Sequence, residues 1–413
     1  MGILVDLTPL KENPPFRRFY IGQIVSVIGS MFTTVALQYQ AYKLGHDSTT
    51  MVALLAATTL VPFVASSMVG GAIADSYDKR KILLITQGLL AGCSLLLAGN
   101  AFSDKPKLWV LFAVGFVLNG LIGIDWPTRS ATVPTLVPRE QIQKALTLTI
   151  AYFNIGGIAG PVIAAFFVRK HTPWLYTVDA LTYGVSFLAV LSIPPRPPFG
   201  QRRAVSFATV ADGFRYLKTQ RLIQSTFVAD LGAMIFGLPD ALFPAFSEHV
   251  FHDTRTLGYL KAAPAIGAIA AGSLSGWTHR IVRQGRAVII CICLWGLGIA
   301  LFGATKTLPI ALIGLFFAGA ADAVSAVFRS TIVQVSVPDE YRGRLSSIFV
   351  AVVRGGPKLG EGESGVAARL GGLQFAAVSG GLLCLVWIAV VALIYPELRN
   401  WEASPETDPL PVS

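Results

Sequence analysis

Twelve stretches of the chain are apolar for about twenty residues each, and a short polar or charged segment separates each from the next. Their limits are close to 18–43, 51–74, 81–101, 108–129, 143–168, 173–193, 222–246, 257–279, 286–305, 308–329, 345–368 and 373–395. A run of that length is what a helix needs to cross the hydrocarbon core of a bilayer. In that core every backbone N–H and C=O must find its partner within the protein, so only helices and closed barrels span it. Runs that are apolar without period-two alternation select helices. Composition agrees: 14% of the 413 residues are charged and 53% are hydrophobic, where a soluble domain has about 25% charged residues. The expected fold class is an all-α membrane protein of twelve transmembrane helices. Span eleven is the least apolar of the twelve.

The net charge of +10 does not point to nucleic acid, because the cations lie between the apolar runs rather than on one soluble face. With the N-terminus in the cytoplasm, twenty of the 33 Lys and Arg residues fall in cytoplasmic segments and eight on the opposite side. The positive-inside rule requires that bias, so both termini are expected in the cytoplasm. No cleavable signal peptide is expected, since Asp6, Lys11 and Glu12 interrupt the start of the chain. The four cysteines fall in apolar runs and suggest neither a disulfide framework nor a zinc site.

Between spans two and three the chain reads Gly70-Gly71-Ala72-Ile73-Ala74-Asp75-Ser76-Tyr77-Asp78-Lys79-Arg80-Lys81. The glycines let two helices approach closely, an acid ends the apolar pattern, and three cations follow in a short loop. This stretch is expected to act as a joint as well as to set topology. Between spans six and seven, a Pro-rich and basic connection from Pro194 to Arg221 divides the chain in two. Residues 206–217 could lie on the membrane surface as an amphipathic helix. The expected domains are a six-helix bundle over 1–194, a cytoplasmic linker over 195–221, and a second six-helix bundle with a cytoplasmic tail over 222–413.

The two halves repeat. Arg129-Ser130, Val133, Val137-Pro138 and Glu140 recur 200 residues later as Arg329-Ser330, Val333, Val337-Pro338 and Glu340. Gly71 has a counterpart in Gly272, but Gly276 stands where Asp75 stands in the first half. A parallel repeat of two six-helix halves is one of the recurring transporter architectures.

The Gly71–Lys81 loop resembles the loop between helices two and three of the major facilitator superfamily: a Gly, an Asp four residues on, then a basic cluster, with Asp78 in place of an expected Gly. Pro15-Phe16-Arg17, Asp125-Trp126-Pro127-Thr128-Arg129, and Val337-Pro338-Asp339-Glu340-Tyr341-Arg342-Gly343-Arg344 are similar to one branch of it. So are Arg354-Gly355-Gly356-Pro357 and Leu359-Gly360. That branch holds enterobactin exporters and related macrolide- and tetracycline-efflux proteins. The resemblance implies the major facilitator fold, a monomer in the inner membrane of a bacterium, and proton-coupled export. The implied cargo is a catecholate siderophore or, alternatively, an amphipathic antibiotic. An importer of a nutrient and a non-transport scaffold are the remaining alternatives. Protons, membrane lipid and a small molecule are the implied partners.

Candidate site residues follow from chemistry and from this resemblance. Gly71, Asp75, Lys79, Arg80, Lys81, Asp125 and Arg129 form the expected conformational switch; Asp125 and Arg129 are one turn apart and can pair. Asn154 to Pro161 resembles the Gly-rich motif of facilitator antiporters through Gly156, Gly160 and Pro161, with Ala164-Ala165 where the motif ends in Gly-Gly, and is expected to join spans five and eight. Phe116 stands where drug/proton antiporters of the superfamily carry an Arg. Asp230, deep in span seven, is the expected proton-coupling carboxyl, because ionisable groups at membrane depth are functional candidates by default; Arg354 is its possible structural partner. Asp179 and Asp240 are expected nearer the outer face and wet. Gln38, Arg354, Lys358 and Glu361 are the expected substrate-binding residues. The last three fall at i, i+4 and i+7 in span eleven, where two glycines and Pro357 are expected to weaken or break the helix. No enzyme constellation, metal site, cofactor motif or phosphate-binding loop is visible; His249, His252, Glu248 and Asp253 read as an exposed polar loop.

Overall fold

A computed structural model of the chain describes residues 6–195, 215–273, 281–337 and 339–402; the side chains of Ala72, Asp75, Gln334 and 339–354 are outside the description. The described residues are helical with short connections and contain no strand. The spans of the first half are α1 (Pro14–Leu44), α2 (Thr49–Ser76), α3 (Lys79–Phe102) and α4 (Leu108–Thr132). Next comes Ile142–Leu191, 50 residues whose helical dihedrals fail at His171 (φ −130°). Pro173 explains the break, since it lacks an N–H and its ring displaces the preceding turn. We take 142–170 as α5 and 172–191 as α6. The second half contains α7 (Arg221–Phe236), α8 (Thr256–Ser273), α9 (Gln284–Ala304), α10 (Leu308–Ser336), α11 (Asp339–Gly371) and α12 (Leu373–Ile394). Nine helices among the described residues are long and apolar enough to cross a membrane, the stretch holding α5 and α6 being counted as one of them.

The chain divides into two compact units. Unit 1 comprises residues 1–205 together with 252–262, so the first turns of α8 belong with the first half; unit 2 comprises 206–251 and 263–413. The linker over 196–214, where most of the expected surface helix falls, is outside the described residues.

Close packing of backbones organises unit 1. Gly22 and Gly29 of α1 face Ser186, Ala189 and Thr182 of α6, while Gly156 and Gly160 of α5 receive Val27 and Met31 of α1. A methyl group on Gly70 of α2 would stand 2.7 Å from the Gly123 carbonyl oxygen of α4, so only glycine lets those helices cross there. One end of the unit is closed by Phe16, Phe19, Leu83, Leu148 and Val190. In unit 2, α9 packs on α10 and α12, and α7 on α11 and α12. Gly298 and Gly314 lie reciprocally against each other's carbonyl oxygens, at 2.5 and 2.6 Å from where a Cβ would be.

The structure corrects the expectation of a broken span eleven. α11 is one helix from Asp339 to Gly371 with Pro357 inside it. Its glycines serve packing: Gly356 meets the Met234 side chain of α7 at 3.0 Å from a built Cβ, and Gly360 meets the Met234 carbonyl oxygen. The helix ends where Gly372 takes φ +87°, a conformation glycine adopts without strain. Span seven is the discontinuous one. α7 stops at Phe236, and a 3-10 turn (Asp240–Leu242), a short turn (Phe243–Ala245) and a π turn (Phe246–Val250) carry the chain on. Gly237 and Pro239 supply the break, since the residue before a proline is disfavoured in the α region.

Candidate functional site

Two buried arginines, 200 residues apart in the repeat, anchor the polar interior of the two units. In unit 1, Asp125 and Arg129 sit one turn apart near the end of α4 and form an ion pair, with side chains 5% and 9% exposed. Arg129 also donates to Gln23 Oε1 of α1. Gln23 Nε2 reaches Ser186 Oγ of α6 at 3.2 Å, and Thr86 of α3 donates to Asp125 Oδ1 at 2.7 Å. The Arg129 charge is thereby matched by one carboxylate, and four helices meet at it.

In unit 2, Arg329 pairs with Asp230 of α7, both below 5% exposed, and its other terminal nitrogen lies 3.3 Å from Asp322 Oδ1 of α10. The plan repeats that of unit 1: the arginine of the fourth helix of each half reaches the first helix of that half. The partner there is an amide, Gln23, in one case and a carboxylate, Asp230, in the other. Asp230 thus pairs with Arg329, whereas the sequence suggested Arg354, whose side chain is outside the description. Among the described residues, Asp230 Oδ2 and Arg329 Nε are buried without a hydrogen-bond partner. Two carboxylates therefore share one guanidinium whose hydrogen-bonding capacity is not exhausted.

The loop between α2 and α3 is ordered by its own side chains. Asp78, at the position where a glycine was expected, caps α3 by accepting from Arg80 N at 2.9 Å. Arg80 turns to the end of α6 and donates to the carbonyls of Val190 and Leu191, at 3.4 and 2.6 Å, where a cation also complements the helix dipole. Its described partners are those carbonyls rather than Asp125. Lys79 is buried and Lys81 exposed. Gly71 has open space around it, and Asp75 occupies the last turn of α2.

In the Gly-rich segment of α5, the two glycines face α1, as described above. The Pro161 carbonyl faces Gly258 at the start of α8, 2.8 Å from where a Cβ would stand. Phe166 of α5 adds an edge-on contact with Tyr259 and lies under the guanidinium of Arg255. Small residues on both helices thus set the α5–α8 approach.

In α11, Lys358 Nζ is 3.2 Å from Glu361 Oε1; Glu361 is buried and Lys358 half-buried. Gln38 is buried in unit 1 at 6% exposure. Its neighbour Gln40 accepts a hydrogen bond from Tyr176 of α6 at 2.9 Å. No group of His, Cys, Asp and Glu able to hold a metal ion occurs among the described residues.

Asp179 is the polar residue that sequence reasoning undervalued. It is 0% exposed rather than wet. Thr33 of α1 and Ser94 of α3 donate to its Oδ2 at 2.6 and 2.7 Å. Its place inside apolar span six, six residues past Pro173, was the available signal.

Comparison with known proteins fits this architecture. Residues 5–411 match the family described as transmembrane secretion effector. The enterobactin exporter EntS of Escherichia coli O1:K1 is 26% identical over 406 residues, covering 97% of each chain, and that of Shigella boydii serotype 18 is 26% identical over the same extent. Among solved structures, the nucleoside transporter NupG superposes with a TM-score of 0.74 at 14% identity, covering 94% of this chain and 99% of that one. A D-xylose–proton symporter superposes with a TM-score of 0.67 at 14% identity, covering 92% and 98%. These two likenesses show the fold. The chain is a multi-pass membrane protein with the major facilitator fold, and it belongs to the transmembrane secretion effector family, alongside the enterobactin exporters.

Proposed function

We propose that the chain is a secondary active exporter of the bacterial inner membrane, moving a catecholate siderophore out of the cytoplasm in exchange for protons. The observation that carries this reading is the likeness to enterobactin exporters along 97% of both chains. Alternating access between two six-helix halves is the corresponding mechanism. The bias of Lys and Arg supports cytoplasmic termini and a cytoplasmic α2–α3 loop.

Asp230, Asp322 and Arg329 support the proton half of the reading. Two carboxylates and one guanidinium leave the group with one net negative charge. A single proton makes it neutral while Arg329 stays paired. Gain or loss of that proton changes which carboxylate holds Arg329, and so the tie between α7 and α10. The switch residues Gly71, Asp75, Lys79, Arg80, Lys81, Asp125 and Arg129 set the balance between the two states of the transporter. The segment Gly156, Gly160 and Pro161 keeps α5 closely packed. Arg354 and Lys358 attract the anionic catecholate, with Glu361 holding Lys358 in the empty state, and Gln38 adds hydrogen bonds.

Everted inner-membrane vesicles with an acid interior test this. Enterobactin should accumulate inside, a protonophore should abolish the accumulation, and Asp230→Asn should lose it while keeping exchange of labelled for unlabelled cargo. Accumulation that survives the protonophore would overturn proton coupling. A macrolide or tetracycline accumulating in place of enterobactin would move the cargo to the antibiotic class.

A further inference from the structure

The interior of unit 1 contains a second polar layer that the transport reading does not use. Its centre is Asp179 of α6, whose carboxyl accepts from Thr33 of α1 and Ser94 of α3, while Thr182 of its own helix donates to its backbone carbonyl. Seven residues along α6, about 10 Å at 1.5 Å per residue, Ser186 belongs to the layer of Gln23, Arg129 and Asp125. The two layers are ten residues apart on α1, from Gln23 to Thr33, and eight apart on α3, from Thr86 to Ser94. Thr33 and Gln23 bracket Ser26 on α1, and Ser94 and Thr86 bracket Gln87 on α3. Ser26 and Gln87 are 1% and 0% exposed. Ser26 Oγ and both amide atoms of Gln87 lack hydrogen-bond partners among the described residues.

Three orphaned polar atoms between two satisfied polar layers are hard to reconcile with a dry core. Native proteins almost always satisfy buried polar groups, and ordered water is the usual partner where protein atoms do not serve. The hydrogen bonds described to the Asp179 side chain come from neutral hydroxyls, and ionisable groups inside membrane spans are functional candidates by default. The titratable groups on the neighbouring turns are Cys93 of α3, next to Ser94, and Tyr176 and Tyr183 of α6; one layer away lies the Asp125–Arg129 pair of α4.

We propose that Asp179 is a proton site in the core of unit 1, joined by a hydrated seam through Ser26 and Gln87 to the Asp125–Arg129 pair. The proton leaves the carboxylic O–H for a water of the seam, and the carboxylate that remains keeps the hydroxyl hydrogen bonds of Thr33 and Ser94. When the proton sits on Oδ1, that O–H can donate a hydrogen bond to Thr182 Oγ1, 3.5 Å away, whose own hydrogen goes to the Asp179 backbone carbonyl at 2.7 Å. In transport, a role for this site rests on the exporter reading; the presence of the site does not.

The test therefore uses no cargo. Purified full-length protein in liposomes is examined by infrared difference spectroscopy between acid and alkaline buffer, in H2O and in D2O. The wild type should show a carboxylic C=O band that titrates and shifts in D2O. Asp179→Asn should delete it, and Asp179→Glu should move it. Ser26→Ala with Gln87→Leu should keep the band but slow its deuterium exchange roughly tenfold, the size expected when one hydrogen bond of the wire is lost. A band unchanged in Asp179→Asn overturns the site; should that variant not fold, a band unmoved in Asp179→Glu does the same. An unaltered exchange rate in the double variant overturns the seam. A band that responds to sodium in place of potassium overturns the proton as ligand. Failure of enterobactin to move in vesicles would leave all of these outcomes readable.

Discussion

Replacing Arg329 with Met tests whether the unit 2 group is an energetic unit. Arg329 and Asp230 have side chains 4% and 3% exposed, so the single change strands a buried carboxylate. Removing one partner of a buried pair costs about 3–5 kcal/mol. Asp230→Leu alone is milder, because Arg329 retains Asp322 at 3.3 Å; the loss should be about 1–3 kcal/mol, the range for a buried charged group deprived of one hydrogen bond. In the double variant, only Asp322 remains charged, and its side chain is 37% exposed and can be solvated. The double change should therefore cost less than the sum of the singles by about 2 kcal/mol or more, well beyond the ~0.5 kcal/mol within which independent sites add. Equilibrium unfolding of the purified protein in mixed dodecylmaltoside–SDS micelles, followed by helical circular dichroism, measures all three differences. Additivity within that margin would refute the shared-arginine account, and with it the structural basis for assigning a coupling role to Asp230.

Asp75→Asn should lower export severalfold while leaving enterobactin binding intact, measured by equilibrium dialysis beside vesicle uptake; normal uptake would remove Asp75 from the switch. Arg354→Ala with Lys358→Ala should weaken enterobactin binding by about tenfold or more, as expected for loss of charge-assisted hydrogen bonds, and unchanged binding would place the site elsewhere. Gly298→Val should cut the yield of folded, monodisperse protein, because a side chain there would enter the Gly314 carbonyl oxygen at 2.5 Å from Cβ; full yield by gel filtration would mean that α9 and α10 can separate at no cost.

Hydropathy made the helices legible because lipid offers the backbone no partner, so each long apolar run must close its own hydrogen bonds locally. The Asp125–Arg129 pair was legible for a similar reason: its four-residue spacing places both groups on one face of α4. The repeat of Arg129 in Arg329 was visible in the order of residues, but what each arginine touches was not. Asp230 lies 99 residues from Arg329, and Thr33 lies 146 from Asp179. Pairings at that separation depend on which faces of the helices meet, and local propensity says nothing of that. The glycines of span eleven show the same limit. Read locally, Gly356, Pro357 and Gly360 weaken a helix. In the fold α11 is continuous, and Gly356 and Gly360 are where α7 comes close, through the Met234 side chain and the Met234 carbonyl oxygen. The sequence by itself determined the spans, their punctuation and the internal repeat, because those rest on solvent and on neighbours within a turn. The tertiary structure alone decided that Asp179 is buried among hydroxyls and that two acids share Arg329, because burial and pairing are properties of helix contacts formed across the chain.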